Sequence, residues 1–473
     1  MNRNNFLPHV ALALVLVLIA AFAGQVRNWK RNAHLKRKQV ELAELKTRQI
    51  DQVESTADPQ ATRHTEVFVR FRPDVSEERI QDLVGRLNDR VEDETESVAG
   101  LTLLEDEDGK DAESVVAEYR QLPEVDYAEP VFEIHLEDAT EVSKPVLPND
   151  PRFSEQWALA NNGQDGGKVG ADISATSAWF TTTGSQKVVV AVLDSGVDYT
   201  HPDLVNNIWK RPENIKEYED RELGEVDDYH GYDALQNSGD PMDENGHGTH
   251  CAGIIGAEGG NNEGITGVNW TVQIMPLRFM DANGSGTTKD AIEAINYVID
   301  RRKAGVNVRI ISASWGSTQK SRALEDVIRK AYDAGILFVA ASGNASTDAD
   351  RMPHYPSGYN LPNVVSVAAL DRNDNLASFS NYGQKSVHIA APGKDILSTY
   401  LNHEFRNLSG TSMATPMVAG VAALILSNDP NMSVDELRKR LFDSVDKLPA
   451  LKTKTVTGGR INAAKAVGGE WKL

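Results

Sequence analysis

Four short stretches carry side chains whose types and spacing could do chemistry. In "NGHGTHCAGIIG" (245–256) the single cysteine, Cys251, stands four residues after His247 and one after His250. Four residues is about one helical turn, so a helix here puts His247 and Cys251 on one face. That spacing suits a thiol beside its base, half of a metal site, or neither. Gly246 and Gly248 flank His247 and let backbone approach the imidazole from either side. Asp194 ends the apolar run "VVVAVLD". A carboxylate there is costly to bury unless it is paired or hydrogen-bonded, and it reads as a turn cap or as part of a site. Ser412, in "SGTSMATPMVAG", falls at or near the start of a small, apolar helical stretch. Orphan N–H groups and the positive dipole end favour developing negative charge at such a serine, which is also a frequent N-cap. Asn344, in "AASGN", follows another apolar run. Its amide is either a turn residue or a donor to an oxyanion.

The elements that must position these residues follow from the apolar pattern. From about Pro148 onward, bounded runs such as "KVVVAVLDSG", "VQIMPLRFM", "VRIISASWG", "GILFVAASGN" and "NVVSVAAL" alternate with helical stretches such as "TKDAIEAINYVIDRRKAG" and "SRALEDVIRKAYDAG". Near-continuous apolar strands separated by helices predict an α/β domain, a doubly wound, mostly parallel sheet with helices on both faces. Chemistry in such sheets gathers at the carboxyl ends of the strands, where Asp194 and Asn344 fall. Pro416 is compatible with the helix after Ser412 only in its first turn.

Before this domain, "EVFVRF", "SEERIQDLVGRLND" with a Ser76 cap, "LTLLED", "AESVVAEYRQLP" and "VDYAEPVFEIHL" read as strand, helix, strand, helix, strand, a small α+β unit over 64–136. Residues 137–148 read as an exposed linker. The apolar run Val10–Ala23 is short for a membrane span, and with Ala21-Phe22-Ala23 as a small-x-small site it makes 1–26 a signal peptide or signal anchor. The basic segment "RNWKRNAHLKRK" that follows favours retention on the cytoplasmic side, which keeps a membrane anchor open. Residues 27–63 read as a basic, then helical, juxtamembrane linker.

Composition removes several functions. With 49 Lys and Arg against 69 Asp and Glu, the net charge of −20 argues against a nucleic-acid partner. One cysteine excludes an internal disulfide framework, so packing and bound ions must supply stability.

Taken together, "VLDSGVDYTHPDL", "NGHGTHCAG", "AASGN" and "SGTSMATPMVAG" strongly resemble the subtilisin-like serine protease family, in its Asp, His, Asn, Ser order. The resemblance covers about 149–468, and the domain is read as 149–473. It implies Ser412 as nucleophile, His247 as general base and acid, Asp194 as the orienting carboxylate, and Asn344 with the Ser412 N–H as oxyanion hole. It also implies a cleft for polypeptide substrates between Ser314-Trp315-Gly316 and Gly284-Ser285-Gly286. A structural Ca²⁺ is implied at Asp150, Asp203, Asn261 and the carbonyls of Glu263 and Ile265. A second calcium site near Asp240 and Asp243 has no full motif behind it. The α+β unit resembles the family's ferredoxin-like propeptide, an intramolecular inhibitor, with processing between Glu133 and Pro148. Cys251 stands where the proteinase K-like branch also has cysteine, which suggests a packing role, and His250 reads as structural. The enzyme is expected to be extracytoplasmic and monomeric.

Two departures concern specificity. His354, in "MPHYP", takes a position of a small residue near the floor of the primary pocket, and Met417 replaces the commoner His. The competing reading, a catalytically silent membrane-anchored binding protein, requires a lost catalytic residue.

Overall fold

The computed structural model describes residues 65–94, 98–132, 147–220 and 224–468. The predicted leader (1–26), the linker helix and the span 133–146, which holds most of the expected processing segment, lie outside the described residues. The chain divides into two units, 1–139 and 140–473.

In the first unit β1 (Thr65–Phe71), α1 (Glu77–Arg86), β2 (Asp89–Glu94), β3 (Leu101–Asp106), α2 (Ala112–Tyr119) and β4 (Val125–Pro130) form a four-stranded antiparallel sheet in the order β2-β3-β1-β4. The alternate residues Val67, Val69 and Phe71 bury against Leu83, Val84, Val115, Val116 and Tyr119 of the two helices. Ser76 caps α1 by accepting from the Arg79 N–H. The strand β2 is a finding beyond the sequence reading. Its residues, "DRVEDE", are charge-dense and show no apolar alternation, so only pairing with β3 along the sheet edge defines it.

The second unit is built on β5 (Gly184–Asp194), α3 (His247–Gly256), β6 (Thr271–Arg278), α4 (Thr288–Lys303), β7 (Val308–Ala313), α5 (Arg322–Asp333), β8 (Leu337–Ala341), β9 (Val364–Leu370) and β10 (Ile389–Pro392). A hairpin, β11 (Ile396–Tyr400) and β12 (Glu404–Leu408), then leads into α6 (Thr411–Asn428). Six parallel strands lie in the spatial order β10-β9-β8-β7-β5-β6. Short strands extend both edges, Tyr232–Asp233 beside β6 and Gly459–Ile461 beside β10, with Val445–Lys447 antiparallel at the end.

Each strand is apolar on both faces because each face is covered. Val188, Val190 and Val192 of β5 pack into the layer that holds α3 and α6, whereas Val189, Ala191 and Leu193 pack into the layer that holds α4 and α5. Burying each valine and leucine among them contributes about 1.5–3 kcal/mol, so the alternation fixes the register on both sides at once. In α6 only Ser412, Ser427 and Asn428 escape burial, which explains why this helix is apolar all round. The strand order reverses between β5 and β7, and the crevice outside their carboxyl ends is where such sheets bind ligands.

Candidate active site

Asp194 is the last residue of β5 and is 1% exposed. Its Oδ1 accepts hydrogen bonds from the Ser195 N–H (2.9 Å) and from His247 Nδ1 (2.7 Å). His247 is the first residue of α3, with its side chain 31% exposed, so one ring edge faces Asp194 while the ring remains reachable. Burial alone lowers the imidazole pKa, but the Asp194 charge and hydrogen bond outweigh it and raise it above the ordinary histidine value.

The glycines on either side of His247 are required by contact. A Cβ on Gly248 would lie 2.0 Å from the Gly196 carbonyl oxygen, and one on Gly246, at φ +99°, would lie 2.5 Å from the Tyr400 ring. Asp243, which the sequence suggested only as a weak metal candidate, organises this turn instead. Its carboxylate accepts from Ser195 Oγ and the N–H groups of Asn245, Gly246 and Thr249, and from Thr249 Oγ1, all at 2.6–2.9 Å. It thereby caps α3, whose preceding residue Gly246 has no side chain to do so. Asp240 Oδ1 accepts from the Tyr199 hydroxyl and the Met242 N–H. The signal for this role was an Asp three residues before a side-chain-less cap.

Ser412 is the second residue of α6 and half-buried. Its Oγ donates to the Ser314 carbonyl (3.1 Å), and Ser314 Oγ donates back to the Ser412 carbonyl (2.8 Å). Asn344, exposed three residues beyond β8, accepts from Thr411 N–H and Oγ1 through its Oδ1, both at 2.9 Å. Its amide nitrogen and the Ser412 N–H make no hydrogen bond among the described residues. Both donors are thus left open at the serine.

Cys251 links the two halves. Ligand atoms of Asp194, His247 and Cys251 lie within 4.8 Å of one another, and Cys251 Sγ donates to the Ser412 carbonyl at 3.5 Å. Burial pushes the thiol pKa well up, the opposite of what a nucleophile or metal-ligating thiolate needs. His250 directs Nε2 at the carbonyls of Ile396 and Arg406, and burial lowers its pKa to about 4, so it is a neutral structural donor. The thiol-enzyme reading of this stretch therefore has no support here.

Of the predicted cleft residues, Ser314 exchanges hydrogen bonds with Ser412 directly. Trp315 Nε1 donates to the Leu193 carbonyl, and its ring packs on Phe279 at 4.8 Å. Gly284, Ser285 and Gly286 form an exposed turn held by Asp281 and by Asn245 Nδ2 on the Ala282 carbonyl (2.9 Å). Since Asn245 Oδ1 also accepts the His247 N–H, that edge is tied to the histidine. His354 sits between Gly316 and Gly343, and a Cβ on either glycine would meet the imidazole at 2.1 and 3.0 Å. Its Nδ1 is buried with no hydrogen bond, and burial lowers its pKa.

The predicted cation ligands also converge. Asp150 Oδ2 accepts the Gly260 N–H, while Asp203 accepts Asn261 Nδ2 and the Ile265 N–H. Burial, with lesser help from the charges of Asp150 and Glu263, pushes Asp203 up to about 7. Asp150 Oδ1 is buried without a partner, and the Glu263 and Ile265 carbonyls accept no hydrogen bond among the described residues. Two crowded carboxylates, one with an orphan oxygen, and free carbonyls match the oxygen donors that a hard cation takes. The Asn261 amide presents its nitrogen to Asp203 and its oxygen to the Glu263 N–H, so it would have to turn to ligate.

The chain is similar to known proteins along both of its units. A model described as the Subtilase family matches residues 185–462, and one described as the Fervidolysin N-terminal prodomain matches 48–130. The chain is 36% identical to a thermophilic serine proteinase of Bacillus sp. (strain AK1) over 356 residues, covering 75% of this chain and 76% of that one. It is 38% identical to thermitase of Thermoactinomyces vulgaris over 320 residues, covering 68% and 99%. A solved protease structure from Pseudoalteromonas arctica covers 68% of this chain and 98% of its own, at 30% identity and a TM-score of 0.57.

Proposed function

This chain belongs to the subtilase family, a serine endopeptidase with an N-terminal prodomain, and from that premise we propose that Asp194, His247, Ser412 and Asn344 perform its chemistry. The observation that carries the reading is the 2.7 Å Asp194–His247 bond at a strand end, set beside a helix-terminal serine with two open donors. Rotation about its side-chain torsion turns the Ser412 hydroxyl from the Ser314 carbonyl to His247 Nε2, a bond that tightens when substrate is bound. The Ser412 oxygen attacks the peptide carbonyl as His247 takes its proton, and Asp194 stabilises the imidazolium. The oxyanion is held by Asn344 Nδ2 and the Ser412 N–H. His247 then protonates the departing amine, and water, deprotonated by His247, cleaves the ester and returns Ser412. A substrate strand pairs with the edges at Gly284–Gly286 and Ser314–Gly316. All four roles have their residue in place, so nothing favours the catalytically silent alternative.

The test is a serine-directed fluorophosphonate probe, applied to the protein and to Ser412→Ala and Cys251→Ala. Label and peptidase activity should disappear only from Ser412→Ala; label retained there sinks the assignment. Asn344→Ala should lower kcat by about 10²–10³ with KM little changed, the magnitude measured for such a donor in subtilisin, a member of this family. Equal loss in KM would instead make Asn344 a binding residue.

On this reading His354, whose ring lies between Gly316 and Gly343, makes the primary pocket shallower or more polar than in apolar-preferring relatives. Profiling with a peptide library should show weak turnover of large aromatic side chains, and strong preference for them overturns this.

Asp150, Asp203, Asn261 and the carbonyls of Glu263 and Ile265 would hold a Ca²⁺ that cross-links three loops. The ion supplies charge neutralisation and rigidity, in place of disulfides. A ligand at a hundred times its Kd stabilises by about 2.7 kcal/mol. Chelation should lower the Tm of the Ser412→Ala protein by roughly 5 °C, and Asp203→Asn should remove that sensitivity. An unchanged Tm on chelation rejects the site.

The prodomain serves as the intramolecular inhibitor of a monomeric enzyme. The N-terminal segment exports the chain or anchors it outside the cytoplasm. Accessibility of a C-terminal tag to added protease in intact cells reads the orientation.

A further inference from the structure

We propose that Ser314, assisted by Cys251, positions the nucleophile by filling a backbone acceptor that Pro416 leaves vacant. The inference rests on the assignment of Ser412 as nucleophile. In an α-helix the carbonyl of residue 412 should receive the N–H of residue 416, but Pro416 lies inside α6 and has none to give. Pro416 is the sixth residue of the helix, beyond the first turn where its missing donor would be harmless. The vacated carbonyl receives Ser314 Oγ at 2.8 Å and Cys251 Sγ at 3.5 Å. Both donors are buried, at 4% and 1% exposure, so solvent has little access to replace them.

The arrangement acts on the reacting groups through the backbone. Ser314 and Cys251 hold the peptide plane that follows Ser412. Asn344 holds Thr411 on the other side, and Thr411 Oγ1 in turn accepts the Gly343 N–H. The Ser412 N–H, one oxyanion donor, lies between these two clamps. The reciprocal bond from Ser412 Oγ to the Ser314 carbonyl parks the nucleophile in its resting rotamer. A hydroxyl and a thiol differ in strength as donors, so Ser314 carries the larger share and Cys251 the smaller.

The test is a set of double-mutant cycles on the mature enzyme, each variant expressed as the full chain. Ser314→Ala should lower kcat by about tenfold, ~1.4 kcal/mol, with KM moved less than twofold. Cys251→Ala should cost roughly two- to threefold, and Cys251→Ser, which keeps a donor, should restore it. The decisive arm places each change in a Pro416→Ala background, where residue 416 regains its N–H. There the Ser314→Ala loss should shrink to less than about threefold, because the carbonyl has its helical donor again. An undiminished loss in that background, or a loss confined to KM, overturns the proposal. If Ser314→Ala shows no cooperative unfolding transition, the Cys251→Ala and Cys251→Ser pair in the two backgrounds decides by the same criterion. Fluorophosphonate labelling at Ser412 separates the failures. No label there defeats the nucleophile assignment, while label without coupling to Pro416 defeats this inference alone.

Discussion

Ser412→Ala is expected to lower kcat by roughly a millionfold with KM within a few-fold, the magnitude known for loss of the nucleophile in subtilisin. The effect is this large because every later step depends on the ester that Ser412 forms. The oxyanion donors and the cleft survive the change, so a residual enhancement of about 10³–10⁴ over water should persist. The substitution is structurally mild. Ser412 is only half-buried, and the two donors on its carbonyl contact backbone that alanine retains. Tm and substrate binding should therefore stay near those of the native protein. The variant should also accumulate with its prodomain uncut, if maturation is self-catalysed. Single-turnover kinetics with a peptide ester and the size of the purified chain report both outcomes. Activity within a hundredfold of native would mean that another residue is the nucleophile.

Asp194→Asn is expected to cost about 10⁴ in kcat. Asp194 Oδ1 accepts from His247 Nδ1, which leaves Nε2 with the lone pair that must take the serine proton. An asparagine amide facing Nδ1 would donate, forcing the proton onto Nε2, so geometry survives while the base is lost. The pH profile gives a second readout with a definite sign. His247 works as a base only when neutral, and Asp194 holds its pKa above the ordinary value. Native kcat/KM should therefore fall on acidification through a limb above about pH 6.5. Without the Asp194 charge, only the smaller contribution of the Asp243 charge opposes burial, and the limb should move to lower pH, beneath a much lower plateau. A limb that stays put would show that Asp194 does not set the histidine.

Much of this was legible along the chain, for a physical reason that differs between the elements. The strands β5 to β9 announce themselves because burial on both faces makes their runs mainly apolar, with Arg309, Ser312 and Ser366 among the buried exceptions. Ser76 and the glycines around His247 are legible because caps and close approaches restrict residue type locally. By contrast β2 is hidden, since an edge strand needs no apolar alternation of its own. Pro416 was expected in the first turn and lies in the second, tolerated because its vacant acceptor is filled from two other elements.

The sequence by itself determined which side chains could react and the sheet that carries them, because both are written in short runs of residues. Only the tertiary structure decided what those side chains do to one another. Asp194 meets His247 across 53 positions, Ser314 meets Ser412 across 98, and Cys251 meets Ser412 across 161. A hydrogen bond depends on distance and direction to within fractions of an ångström, and no spacing along the chain encodes that. Cys251 shows the difference most clearly. Its neighbours in sequence suggest a nucleophile beside a base, whereas its neighbours in space make it a donor to the residue that takes that part.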